Sequence, residues 1–298
     1  MGILKSMEVM DLLSFTLISE KTKQFVHAKE FKPMPIDICV TNWTMKVFVE
    51  LEIYLFDISL ALNSDQLLKI YDVKKALTNL FLLTKQTTVR KLLFTENLKE
   101  SCLSNAFRYV SICENVTIHP RVLEFTRCKI ISQYQNATKQ FGLYTIPPVE
   151  SRNEIVLQNL DYLGLYNDWV FLENLLMANC AALGVNRLHL EVLNKFLKLW
   201  IKKRSSSRLE YLWTDRLELD VDMEAVLAGI DYQKVSDDAT RIFKLSKSGV
   251  MEGKDWLTTT DAIEVRGGYD FRKRDGTRAT IAVRDRNRRR RLEFFVWN

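Results

Sequence analysis

Residues 190–213 constrain the fold of this chain more than any other stretch. Leu193, Phe196, Leu197, Trp200 and Ile201 recur at three- and four-residue spacing, while Lys195, Lys198, Lys202 and Lys203 fall largely opposite them. That spacing lines the apolar residues along one side of a helix over 190–203. Three consecutive serines end the pattern. Leu209, Tyr211 and Trp213 then alternate with Glu210 and Leu212, the period of a strand with at least one buried face. The unit is a helix, a polar turn and a strand, with Phe196 and Trp200 as core residues rather than as a site.

The same change of period runs upstream. Residues 160–165 read as a strand, 169–177 as a helix and 181–185 as a strand, before the helix just described. Leu160-Asp-Tyr-Leu163 recurs as Leu209-Glu-Tyr-Leu212 after 49 residues, and Leu163-Gly-Leu165 as Leu183-Gly-Val185 after 20. These spacings lie near one and two strand-plus-helix units of the leucine-rich-repeat type, whose periods run about 20–29 residues. An ordinary α/β sheet with recurring Leu pairs fits them too. The expected class is therefore α/β, with alternating strands and helices of leucine-rich-repeat-like character.

The rest of the chain supplies the flanks. Short helices are expected over 8–28, ended by Pro33 and Pro35, which cannot continue a helix. Ile36, Ile38 and Val40 alternate, as do Val47, Val49, Leu51, Ile53 and Leu55, predicting two strands in a hairpin. A helix over 66–83, a strand over 89–94, helices over 101–109 and 121–135 and a strand over 116–118 follow. Pro147 and Pro148 break the chain again, and a short helix is read over 223–228, followed by a polar stretch to Asp255. The end is β: Tyr269 and Phe271 alternate into Asp275-Gly276, and Ala279, Ile281 and Val283 alternate out. Asp-Gly between such runs signals a tight hairpin, because glycine accepts the positive φ the turn needs. A third strand over 292–297 closes an antiparallel C-terminal set.

Composition bounds the function classes. With 47% hydrophobic residues in 298, the chain is a packed globular protein of one or two domains. Its longest apolar runs fall short of the ~20 residues of a membrane helix, so no membrane association is expected. Five scattered cysteines and no signal-peptide pattern read as reduced thiols in a cytoplasmic or nuclear protein. No phosphate-binding glycine loop, nucleophile elbow or paired histidines is found. His27, His119 and His189 stand apart from any carboxylate or cysteine cluster. The expectation is a protein that is not an enzyme and has no metal or cofactor.

Charge is uneven. The net charge of +6 resides after residue 265, where eleven Lys and Arg face four acids. Arg288, Arg289, Arg290 and Arg291 form the one charge run. They read as a soluble turn between strands, as an Arg-rich hairpin recognising an acidic partner, or as a nucleic-acid site with Phe294, Phe295 and Trp297 stacking on bases. Nucleic-acid binding is the alternative function.

Several motifs in order carry a family resemblance. Leu193-Asn-Lys-Phe-Leu-Lys-Leu-Trp-Ile-Lys202 with Arg208-Leu-Glu-Tyr-Leu212, then Val226-Leu-Ala-Gly-Ile-Asp-Tyr232, then Tyr269-Asp-Phe-Arg-Lys-Arg-Asp-Gly-Thr-Arg-Ala-Thr-Ile281, resemble the nematode F-box-associated domain, type 2. The resemblance covers 155–298 and departs at the turn, where Lys203 replaces the usual glycine and Ser206-Ser207 the usual Asn-Pro. Residues 4–23 look like the latter half of an F-box, whose opening Leu-Pro would lie upstream of Met1. The resemblance implies three parts: partial F-box helices over 1–30, a strand and helix region over 31–154, and the F-box-associated domain over 155–298. It implies a non-enzymatic substrate receptor of a Skp-cullin-F-box ubiquitin ligase. Leu12, Leu13, Phe15 and Leu17 would bury against a Skp-family adaptor or pack inside the helical module, and the C-terminal domain would bind the target protein.

Overall fold

The computed structural model describes residues 36–41, 44–50, 55–61, 88–96, 98–136, 138–144, 147, 149–166, 170–202, 208–214, 221–246, 250–252, 255–257, 262–286 and 289–297. The helices expected over 8–28 and 66–83 lie outside these residues. The chain divides into two compact units, Met1–Thr138 and Lys139–Asn298, and helices and strands mix in both.

In the first unit β1 (Ile36–Val40) pairs antiparallel with β2 (Thr44–Glu50), and β2 with β3 (Leu55–Ala61). On its other side β1 runs parallel to β4 (Val89–Phe94), and β4 parallel to β5 (Cys113–Ile118). The hairpin expected from alternation is present. The third strand was not foreseen, because β2 and β3 share one apolar stretch and the period of two does not mark where one ends. Two helices, α1 (Glu100–Tyr109) and α2 (Glu124–Tyr134), follow β4 and β5. The alternation of β1 buries Ile36, Ile38 and Val40 and leaves Asp37 half-buried, where Arg90 meets its carboxylate at 2.7 and 2.8 Å.

The second unit begins with β6 (Gln140–Leu143), α3 (Val149–Leu157), β7 (Leu160–Leu165), α4 (Leu172–Met177), β8 (Cys180–Val185), α5 (Leu190–Ile201) and β9 (Tyr211–Thr214). The four strands are parallel neighbours in chain order. The break expected at Pro147 and Pro148 precedes α3, and Pro147 lies outside the helix, since proline is tolerated before a helix but not within one; Pro148 lies outside the described residues. Residue 155 falls within that helix. Beyond β9 come α6 (Met223–Leu227), β10 (Gln233–Lys234), β11 (Thr240–Phe243), β12 (Val250–Glu252), β13 (Asp255–Leu257), β14 (Ile263–Arg266), β15 (Tyr269–Arg272), β16 (Arg278–Arg286) and β17 (Arg289–Trp297). Strand β17 pairs antiparallel with β9, and the order continues through β16 and β15 to β10. The polar stretch read before Asp255 thus holds strands too: β11 pairs with β14, and β12 with β13.

Every residue of β8 and β9 is buried, as expected for parallel strands covered on both faces. The sequence recurrences fall in register. Leu163, Leu183 and Leu212 sit side by side across β7, β8 and β9, and so do Gly164, Gly184 and Trp213. On one face α5 lays Phe196 and Trp200 edge-on against Phe294, at 6.1 and 5.1 Å between ring centroids. The opposite face is aromatic: Tyr162 stacks on Trp213 at 5.3 Å, Trp213 neighbours Tyr211 at 5.1 Å, and Tyr211 neighbours Phe295 at 5.3 Å. Phe243 of β11 and Ile263 and Val265 of β14 close over these rings. A Cβ on Gly184 would stand 2.5 Å from Trp213 Cζ2, so the glycine row is what lets the rings lie flat on the sheet.

Candidate partner-binding surface

Strand alternation decides what the Arg run can do. Arg291 belongs to the aromatic face of β17 and Arg290 to the helical face, because successive side chains point to opposite sides. Arg288 lies outside the described residues. Arg291 is buried, and Arg290, which is exposed, approaches Asp285 at 4.0 Å. Phe294 and Phe295 are both fully buried, on opposite faces, so neither offers a ring to a nucleic-acid base. The residues expected to form a turn after Asp285 are largely strand, with Asp285 opposite Arg290 and Arg286 opposite Arg289. Between these strands Glu293, also fully buried, accepts from Tyr211 Oη at 2.7 Å and from Arg284 at 2.7 Å. This network spans β9, β17 and β16 and fixes the sheet rather than exposing charge.

A concave site lies elsewhere in the second unit, where β10 ends against β15. It holds about 400 Å³ and is walled by Asp231, Tyr232, Gln233, Phe271, Arg272 and Arg278, with Ile201 and Asp270 completing it. Each wall has a local cause. Asn194 of α5 donates to Val226 O at 2.8 Å and to Ala228 O at 3.0 Å, pinning the end of α6. Gly229, at φ 69°, then turns the chain, buried Ile230 anchors it, and Asp231 and Tyr232 emerge exposed. Tyr232 rests edge-on against Tyr269 at 5.4 Å.

The far wall is set by the hairpin. A two-residue turn centred on Asp275-Gly276 would set Arg272 opposite Ala279. The turn is wider: Lys273 N donates to Thr277 O and Gly276 N to Lys273 O, with Gly276 at φ 91°. Arg272 therefore pairs with Arg278. Behind them, Asp270 accepts from Arg241 at 2.8 and 2.9 Å and from Thr280 Oγ1 at 2.5 Å, and Trp297 Nε1 donates to Thr280 Oγ1 at 2.7 Å. Arg278 lies over the Trp297 ring at 5.2 Å, and Arg272 donates to Gly276 O at 3.1 Å. These contacts hold two guanidinium groups in place at one end of the groove.

Two of the thiols are chemically quiet. Burial pushes Cys113 and Cys180 up to about 12, so neither presents a thiolate near neutral pH. Burial likewise raises Tyr134 and lowers Lys91. Leu12, Leu13, Phe15 and Leu17 lie outside the described residues, as do any contacts they make. The groove residues were not singled out in the sequence. The one available signal was the position of Arg272 and Arg278 on either side of Asp275-Gly276, and it becomes informative only once the register of the turn is known.

With the geometry in hand, comparison with known families gives one result. Residues 151–214 match the F-box associated family. The matched segment runs from α3 to the last residue of β9, covering the parallel strands β7 to β9 and both crossover helices between them. Its helix α5 supplies Ile201 to the groove and its strand β9 supplies Tyr211 to Glu293. The remaining groove residues follow the segment in sequence. No curated protein and no solved structure matches the chain.

Proposed function

We propose that this chain is a substrate receptor of a Skp-cullin-F-box ubiquitin ligase, a non-enzymatic binding subunit working in the cytoplasm or nucleus. The observation that carries the reading is the F-box-associated match over 151–214. It is supported by the order of motifs on either side: residues 4–23 resemble the latter half of an F-box, and the motifs from Leu193 to the Asp275-Gly276 hairpin resemble the nematode type 2 domain. In this reading the parallel strands and their helices form a leucine-rich-repeat-like scaffold, and the antiparallel set that extends it presents the target-binding surface. Leu12, Leu13, Phe15 and Leu17 contact the adaptor. The receptor contributes proximity: holding a target near a conjugating enzyme carried by other subunits raises the effective concentration of a target lysine.

A pull-down with a purified Skp-family adaptor tests this. The chain, or the chain with a Leu-Pro segment added upstream, retains the adaptor, and replacing Leu12, Leu13, Phe15 and Leu17 with Asp abolishes retention. Failure of both forms to retain it removes the ligase role.

A further inference from the structure

Arg272 and Arg278 stand directly opposite each other on β15 and β16, so both project from one face of the ladder. Like charges in that position repel. Among the described residues neither is within salt-bridge distance of a carboxylate: Arg272 is tied to Gly276 O, and Arg278 rests on Trp297. The nearest acid behind them, Asp270, is occupied by Arg241 and Thr280. Asp231 stands in the wall formed by the chain before β10 and bonds to neither arginine. The pair is thus arranged for an anion from outside.

The same groove has an open sheet edge. Strand β10 covers only Tyr269 and Asp270 of β15, and past Arg272 the Arg274 amide already donates to Ile201 O at 3.4 Å, so the edge without a strand partner among the described residues is the short stretch Phe271–Arg272. Asp231 and Tyr232, just before β10, are not paired in the sheet, and with Phe271 and Arg272 they line the space. An extended peptide continues such an edge through its main chain while alternate side chains meet pockets. Phe271 and Ile201 give those side chains an apolar floor, and Tyr232, 43% exposed, gives them an aromatic rim.

We propose that this groove binds an extended, acidic segment of the target protein, which adds to the edge of β15 and places Asp or Glu carboxylates on Arg272 and Arg278. The proposal rests on the receptor reading for the word target, and it names the chemistry that the receptor selects. Charge complementarity supports the occupant, since the chain from Arg266 onward is strongly basic while its Arg291 is buried and its Arg290 faces Asp285. Planar guanidinium groups suit carboxylates because each can donate two parallel hydrogen bonds.

The test is fluorescence anisotropy of the full chain with a labelled peptide of roughly ten residues alternating Glu and Val, long enough to span the edge as a strand. The acidic peptide binds and weakens as salt rises from about 50 to 500 mM, across which charge screening shortens severalfold. Arg272→Ala and Arg278→Ala each weaken it by about tenfold, the scale of losing one charge-assisted contact. Arg272→Lys recovers part of the loss. Arg266→Ala, which removes an exposed arginine paired with Glu264 outside the groove, leaves affinity unchanged, and unaltered melting temperatures of all variants exclude misfolding. The proposal is overturned if the Lys-Val counterpart binds equally well, or if the arginine variants bind the acidic peptide as the parent does. It is also overturned if only a serine-phosphorylated peptide or an RNA oligonucleotide binds. Adaptor pull-down on Arg272→Ala separates the two ideas: retention of adaptor without peptide binding by the parent chain removes this site alone.

Discussion

Glu293 illustrates how single residues hold the second unit. Its carboxyl has no exposure and two donors, Tyr211 and Arg284, on separate strands. Removing it as Glu293→Ala leaves Arg284 and the tyrosine hydroxyl without their acceptor, and unfolding in urea should show a loss of about 3 kcal/mol, the range for breaking a buried pair from one side. Tyr211→Phe removes the hydrogen bond to Glu293 and costs about 1–2 kcal/mol. Gly184→Ala tests the aromatic face. The added methyl meets the Trp213 ring at 2.5 Å, and overpacking of that kind lowers stability by about 1–3 kcal/mol, read in the same unfolding curve. Cys180 makes a pH statement. Its folded thiol is held at about 12, above its ordinary value near 9, so the unfolded chain releases the proton first. The stability tied to the buried thiol is complete below about 9 and is lost as pH rises toward 12. Melting curves over that window fall less steeply for Cys180→Ala than for the parent.

At the level of elements, α5 with β9 carries the packing. Trp200 meets Phe294 and Phe271 edge-on, and Lys273 Nζ lies 4.3 Å from the centre of its ring. Trp200→Ala should destabilise the unit by about 4 kcal/mol, measured by chemical unfolding, because it empties a fully buried indole site between helix and sheet. Much of this layer was legible in the sequence. The spacing of Phe196 and Trp200, the alternation at Tyr211 and Trp213, and the recurrence of Leu-Asp-Tyr-Leu as Leu-Glu-Tyr-Leu all report local periods, and these became α5, β9 and the register of β7 to β9. Short elements were not legible. The four residues of β6 and of β11 hold too few alternations to stand out from their surroundings, and α3 begins immediately after two prolines that read as a break. The groove was illegible for another reason. It depends on the pairing of Arg272 with Arg278, and a change of one residue in the turn sets a different partner opposite each strand position.

For the whole molecule, the receptor reading divides two tasks along one chain: holding the ligase and holding the target. Residues 151–214, which match the F-box associated family, supply a sheet whose strands are locked by buried leucines, a glycine row and a ring stack, and such a scaffold lets neighbouring edges and loops vary without loss of fold. The Arg run of β17, conspicuous in the sequence, has Arg291 buried and Arg290 beside Asp285, whereas Arg272 and Arg278 line the groove. The division of tasks predicts that changes at the two ends do not interact, as expected for independent sites. Sedimentation of the purified chain with a Skp-family adaptor tests the central claim most directly. The account predicts a one-to-one complex that persists in Arg272→Ala and is lost when Leu12, Leu13, Phe15 and Leu17 are replaced by Asp. Separate sedimentation of adaptor and chain, with the upstream-extended form behaving the same way, would contradict it.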